Sequence, residues 1–112
     1  MLRKIDCVMV PVGDLEEGAA FYTRVFGLTR LWQDDTSVGM GLPETDAEIV
    51  LHTMQLPPEP KVYYLVDDVD AAAAGGCRIR IPPFDVVVGR CAVVEDPFGN
   101  AIGLIDLSKG RR

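Results

Sequence analysis

The feature that most constrains this chain is that one pattern is written in it twice. The stretch "IDCVMVPVGDLEEGAA" near the start is answered by "KVYYLVDDVDAAAAGG" in the second half. Laid over each other, they agree at Val8/Val62, Val12/Val66, Asp14/Asp68, Ala19/Ala73 and Ala20/Ala74, while Cys7 is matched by Lys61. A unit of about fifty residues is one supersecondary motif, and a single such motif presents a sheet face that it cannot cover alone. The chain is therefore expected to use two copies of one small motif around a shared core.

The motif can be read from local signals. A strand is expected at about residues 4 to 12, running into Asp14, which has Glu17 three positions on as its capping-box partner. Leu15, Ala19, Tyr22 and Phe26 follow at helical spacing, and Gly27 is placed to stop the helix. Three strand-like runs come next, "LTRLWQ", "SVGMGL" and "AEIVLHTM", separated by "DDT" and "PETD". The Pro-rich "QLPPEP" continues neither strand nor helix, so the boundary between modules falls there, giving 1–56 and 57–112 as two modules of one structural domain. The second module repeats the order: a strand at 61 to 66, a short helix from Asp67 or Asp68 ended by Gly75 and Gly76, then "CRIRI", "GRCAVVE" and "NAIGLIDL". In "EDPFGN", Pro suits the second turn position and Gly a positive backbone dihedral, which predicts a hairpin between the last two strands.

Composition narrows the function classes. The 112 residues are 48% hydrophobic and 25% charged, and no apolar run approaches the length of a membrane span, so no membrane partner is expected. The N-terminal residues lack the apolar core of a signal peptide, and three cysteines without metal-type spacing fit reduced thiols, so the expected compartment is the cytoplasm. A net charge of −6 argues against a nucleic-acid partner. The acidity belongs to residues 1 to 56, with nine acidic and four basic side chains, which makes either a solvated acidic surface or a preference for a cationic ligand.

Alternation along the strands sorts their side chains into two faces. Val8, Val10, Val12, Ile49, Leu51, Val62, Tyr64, Val66, Ile102 and Leu104 form an apolar set suited to packing beneath the helices. The other face is mixed: Cys7, Met9, Glu48, Val50, His52, Lys61, Tyr63, Leu65, Ala101, Gly103 and Ile105. If the sheets curl toward each other, this mixed face lines a cavity, because its polar groups would lack partners beneath a helix.

The segment "VGDLEEGAAFYTRVFGL", the twofold strand–helix–three-strand plan and "VVEDPFGN" together resemble the vicinal oxygen chelate superfamily, which includes glyoxalase I, extradiol dioxygenases and bleomycin-resistance proteins. The resemblance covers essentially the whole chain. It implies an α+β fold in which two βαβββ modules form a curved mixed sheet around a cavity, commonly as a homodimer pairing the first half of one chain with the second half of another. Metal-dependent members place a ligand, usually His or Glu, on the first and fourth strands of each half. Carried onto this sequence, those places fall on Cys7, Val50, Lys61 and Gly103. Valine and glycine offer no ligand atom, and a lysine ammonium must lose its proton before it coordinates anything. The resemblance is thus to a metal-free branch, with no metal and no cofactor expected.

Cys7, Glu48 and His52 are ligand types on one expected face, but His52 sits two residues past the expected place. That is roughly 6 to 7 Å along a strand, far for a centre with bonds of about 2 Å. Cys7 reads first as a small buried apolar residue, and His52 as either a strand-end histidine with its own partners or a ligand contact. Lys61 reads as a solvated strand-end lysine or as a desolvated base. Trp32 and Tyr63 are core or cavity wall. The expected function is capture of a small organic molecule, a cationic one suiting the acidic first half, as in the branch that confers antibiotic resistance. Its candidate ligand-binding residues are Cys7, Met9, Trp32, Glu48, Val50, His52, Lys61, Tyr63 and Gly103. The alternative is a metal-independent isomerase or lyase that moves protons with Glu48, His52, Cys7 or Lys61.

Overall fold

The computed structural model describes residues 1–110. Its elements are β1 (Lys4–Pro11), α1 (Leu15–Phe26), β2 (Thr29–Gln33), β3 (Ser37–Leu42), β4 (Thr45–His52), β5 (Val62–Leu65), α2 (Val69–Ala73), β6 (Arg78–Val86), β7 (Gly89–Glu95) and β8 (Ala101–Ile105). The fold is α+β, with the βαβββ order occurring twice. By its internal contacts the chain divides into two compact units, Cys7–Pro57 and a second made of Met1–Asp6 with the residues from Pro58 onward. No helix among the described residues is long and apolar enough to cross a membrane.

In the Cys7–Pro57 unit the strand order is β2-β3-β4-β1, antiparallel except for the parallel β1/β4 pair. Helix α1 starts as its sequence requires: the Asp14 side chain accepts a hydrogen bond from the Glu17 backbone N–H at 2.8 Å. It stops at Gly27, whose φ of 73° favours glycine. Ala19 of α1 and Leu28 pack with Val38, Met40 and Leu51, and Val10, Val12, Leu15, Tyr22, Leu42 and Ile49 border that cluster. Phe26, expected on the helix's apolar stripe, is instead exposed and meets Phe21 and Tyr22 edge-on. Gly27 turns the chain directly after it, and Leu28 takes the buried place. Strand β4 begins earlier than expected, because Thr45 and Asp46 join it after a turn shortened to Pro43–Glu44.

The second unit has the order β5-β8-β7-β6, with β5/β8 parallel. Asp68 caps α2 by accepting from the Ala71 N–H at 3.1 Å, and the helix is only five residues long. Val66, Val69, Ala73, Ala92, Val94 and Leu104 form the core beneath it, bordered by Ala72 and Ile102. Val8, Val62 and Tyr64, expected beneath the helices, are half-buried and lie outside both helix-packed clusters. Strand β6 runs through Pro82 and Pro83 to Val86, where sequence alone ends it at Ile81. It pairs only with β7 within its unit and slips register on both sides of Ile81, which is where prolines are tolerated. The β7/β8 hairpin is closed by Asp96, which accepts from the N–H groups of Phe98 and Asn100 at 2.8 and 2.9 Å, with Gly99 at φ 85°.

Asp106, just past β8, ties this unit together. It is buried, and its carboxylate accepts from Val69 N at the head of α2 (2.9 Å), Arg90 N on β7 (3.0 Å), Ser108 N (3.2 Å) and Ser108 Oγ (2.7 Å). Burial alone raises a carboxyl pKa, but these hydrogen bonds together outweigh it and hold Asp106 below its ordinary value. Gly89 lies so close to the Asp106 carbonyl and carboxylate that a Cβ there would overlap both.

Candidate functional site

In the Cys7–Pro57 unit, the residues that alternate with the α1-packed core lie on the opposite face of the sheet. Register places Cys7 beside Glu48, Met9 beside Val50 and Pro11 beside His52 on the parallel pair. On the antiparallel pair Gly41 lies beside Glu48, Gly39 beside Val50 and Ser37 beside His52. Trp32 of β2 is paired with Gly39, after a register shift between Arg30 and Trp32. Its indole lies directly on Gly39: a Cβ at that glycine would overlap Nε1 and the ring carbons beside it. The ring thereby reaches across β3 to β4, where Trp32 Nε1 donates a hydrogen bond to Glu48 Oε1 at 2.7 Å.

This bond joins two of the residues singled out in the sequence. Both are half-buried, and Glu48 stands in the middle of its strand rather than at its start. The enabling residue was not singled out. Its signal was a glycine inside the run "SVGMGL", since an interior strand glycine often marks a close approach from a neighbour. Leu31 sits over Gly41 in the same manner, at 3.1 Å from where a Cβ would stand.

The remaining candidates of this unit are more enclosed. Cys7 and Val50 are each 3% exposed, His52 is 4% exposed, and Met9 is half-buried. Burial lowers the His52 pKa and favours neutral imidazole, outweighing the opposing pull of the Met54 backbone toward the charged ring. Nδ1 of that ring is buried without a hydrogen-bond partner.

In the second unit, Tyr63 lies beside Gly103 in the β5/β8 register. A Cβ on Gly103 would stand 2.6 Å from Tyr63 Cδ2 and 2.8 Å from the Val62 carbonyl oxygen, so ring and backbone both fill that space. Tyr63 also borders a cluster of Val88, Cys91 and Ile105, on the sheet face away from α2. Lys61 lies one residue before β5 and is exposed, the connector's prolines having delayed the strand. The same device, an aromatic ring laid over a strand glycine, thus occurs once in each unit.

The residue types do not suit a divalent ion. At the places where the resemblance puts metal ligands, the first unit holds Cys7 and Val50, and the second Lys61 and a Gly103 covered by Tyr63. Among the described residues, no three His, Cys, Asp or Glu side chains gather as a metal-binding group.

Residues 4–104 match the family model described as the Glyoxalase/Bleomycin resistance protein/Dioxygenase superfamily. A Mycobacterium tuberculosis protein named "Putative glyoxylase CFP32" is 32% identical over 110 residues, covering 81% of this chain, and its Mycobacterium bovis counterpart gives the same figures. The chain spans 41% of the length of these curated relatives. Among solved structures, methylmalonyl-CoA epimerase from Mycobacterium tuberculosis superposes with a TM-score of 0.74 at 16% identity, over 96% of this chain and 89% of that one. A variant of Streptomyces coelicolor methylmalonyl-CoA epimerase in complex with 2-nitronate-propionyl-CoA gives 0.75 at 18% identity, over 100% and 99%. At these identities the structural likeness is one of fold.

Proposed function

This chain belongs to the glyoxalase/bleomycin resistance protein/dioxygenase superfamily, and from that premise we propose that it is a cytoplasmic binding protein for a small organic cation, held without a metal ion. The observation that carries this reading is the Trp32–Glu48 pair, in which an indole N–H orients a half-buried carboxylate at 2.7 Å. A carboxylate has several lone-pair sites, so the indole bond fixes its direction while it can still accept from an ammonium or amidinium group. The face of the same ring offers a cation–π contact. An amine-bearing antibiotic or metabolite with a flat conjugated portion fits this chemistry. Thermal stability measured against a panel of such amines and matched neutral compounds tests it, since a ligand of the native state raises the melting temperature by mass action. Stabilisation by neutral compounds and not by amines would overturn it.

Elemental analysis of the purified protein is expected to show no stoichiometric Ni, Zn, Fe or Mn, because Val50 and Gly103 supply no donor at two of the four family ligand places. About one such ion per chain, removed by chelator together with ligand binding, would contradict the reading. A homodimer belongs to the same proposal, since a chain of this size buries only part of its surface alone and leaves Phe21, Val25, Phe26 and Leu31 exposed on one unit. Light scattering on a sizing column should return twice the chain mass, and a monomer at micromolar concentration would refute it.

A second reading, a metal-independent isomerase or lyase, draws on Cys7 lying opposite Glu48 in register and on the enclosed His52 of the same face. Turnover of a panel hit, as against saturable binding, would favour it.

A further inference from the structure

One polar atom on the Trp32–Glu48 face is left over by that account. His52 is 4% exposed, and its Nδ1 is buried with no hydrogen-bond partner. A buried polar atom without a partner is uncommon and costly, and in native proteins it usually has a water, an ion or a ligand to meet. His52 and Glu48 lie on the same face of β4 with Val50 between them, so their backbones are about 13 Å apart. Met9 and Gly39 flank Val50 in register, with the Trp32 ring over Gly39. The strip therefore reads carboxylate, apolar middle, imidazole.

We infer that His52 Nδ1 is a second polar anchor for the ligand, accepting a hydrogen bond from an O–H or N–H group at the end remote from its positive charge. The inference rests on the cation reading above and adds a class to it: an elongated molecule with an ammonium or amidinium at one end, an apolar centre, and a hydroxyl or amide N–H at the other. Burial suits the part. It favours the neutral ring; the inference includes the tautomer that keeps its proton on Nε2, in which Nδ1 can only accept and a donor is selected over a carbonyl or carboxylate.

His52 is the only histidine, so imidazole 15N resonances report it without assignment. Three probes separate the two ends of the strip: an eight-carbon amino alcohol with ammonium and hydroxyl at opposite ends, octylammonium, and octanol. In the free protein Nδ1 should resonate as an unprotonated nitrogen without a hydrogen bond. The amino alcohol should shift it upfield, octylammonium should bind without shifting it, and the amino alcohol should bind about three- to tenfold more tightly than octylammonium. That advantage should vanish in His52→Phe and persist in part in His52→Gln, whose amide oxygen can still accept. If octylammonium and the amino alcohol bind equally and neither moves Nδ1, the anchor is wrong and the cation reading stands. If octanol shifts Nδ1 while octylammonium fails to bind, the anchor stands and the cation reading falls. An Nδ1 already hydrogen-bonded in the free protein and unmoved by all three probes overturns the inference.

Discussion

Asp106→Ala should lower the melting temperature by about 12 to 20 °C, the largest effect on stability expected from any single polar side chain described above. The carboxylate is 3% exposed and accepts four hydrogen bonds that join α2, β7 and the chain beyond β8. Truncation leaves the N–H groups of Val69, Arg90 and Ser108 and the Ser108 hydroxyl without this acceptor. Hydrogen bonds to a charged group contribute about 1.5 to 3 kcal/mol each, and water entering the vacated space recovers part of that. A net loss of about 3 kcal/mol follows, which in a domain of this size is the stated shift. Ser108→Ala, removing one hydroxyl bond, should cost about 1 kcal/mol. Acid titration supplies an independent check. The folded pKa of Asp106 lies below the ordinary 3.8, so its contribution is complete above that pH and is lost as pH falls through the folded value. Asp106→Asn should therefore show a shallower loss of stability below about pH 3.8 than the parent protein. A drop of only a few degrees in Asp106→Ala, with an unchanged acid limb, would show that the carboxylate does not hold these elements together.

Glu48→Gln should weaken binding of a cationic ligand about ten- to a hundredfold while leaving the fold intact. The amide keeps the size of the side chain and an oxygen that can accept from Trp32 Nε1, so the ring keeps its place on Gly39. What disappears is the charge. In a half-buried setting a charge-assisted hydrogen bond is roughly twice as strong as a neutral one, and the loss corresponds to about 1.5 to 3 kcal/mol. Isothermal titration against the best amine of the panel measures it, with a neutral isostere of that amine as control, whose affinity should change less than threefold. Equal losses for both compounds would mean that Glu48 acts through packing and not through charge.

The sequence carried the fold because its signals were local and repeated. Asp14 with Glu17, Gly27, Asp68 and "EDPFGN" each specify a cap or a turn through their own backbone chemistry, and each forms in place. Where neighbours decide, local reading failed. Phe26 matched the helical stripe yet is exposed, because Leu28 fills the core from beyond the helix. Pro82 and Pro83 would end an interior strand but sit in β6, where register slips accommodate them. Trp32 and Glu48 were legible as candidates on one face, while their hydrogen bond depends on Gly39 across the strand, a relation set by register rather than spacing. Asp106 gave almost no sign in advance, because its four donors come from positions as far away as Val69. For His52, sequence left two readings open, and only the packing reveals an enclosed Nδ1 without a partner.

The emission of Trp32, the only tryptophan, on titration with an amine that binds tests the central claim most directly. If the Trp32–Glu48 pair is the recognition element, saturable quenching or a spectral shift should track the calorimetric isotherm, and Glu48→Gln should displace both to higher concentration together. Emission that stays constant while the amine demonstrably binds, with unchanged affinity in Glu48→Gln, would place the ligand elsewhere on the protein and contradict the account.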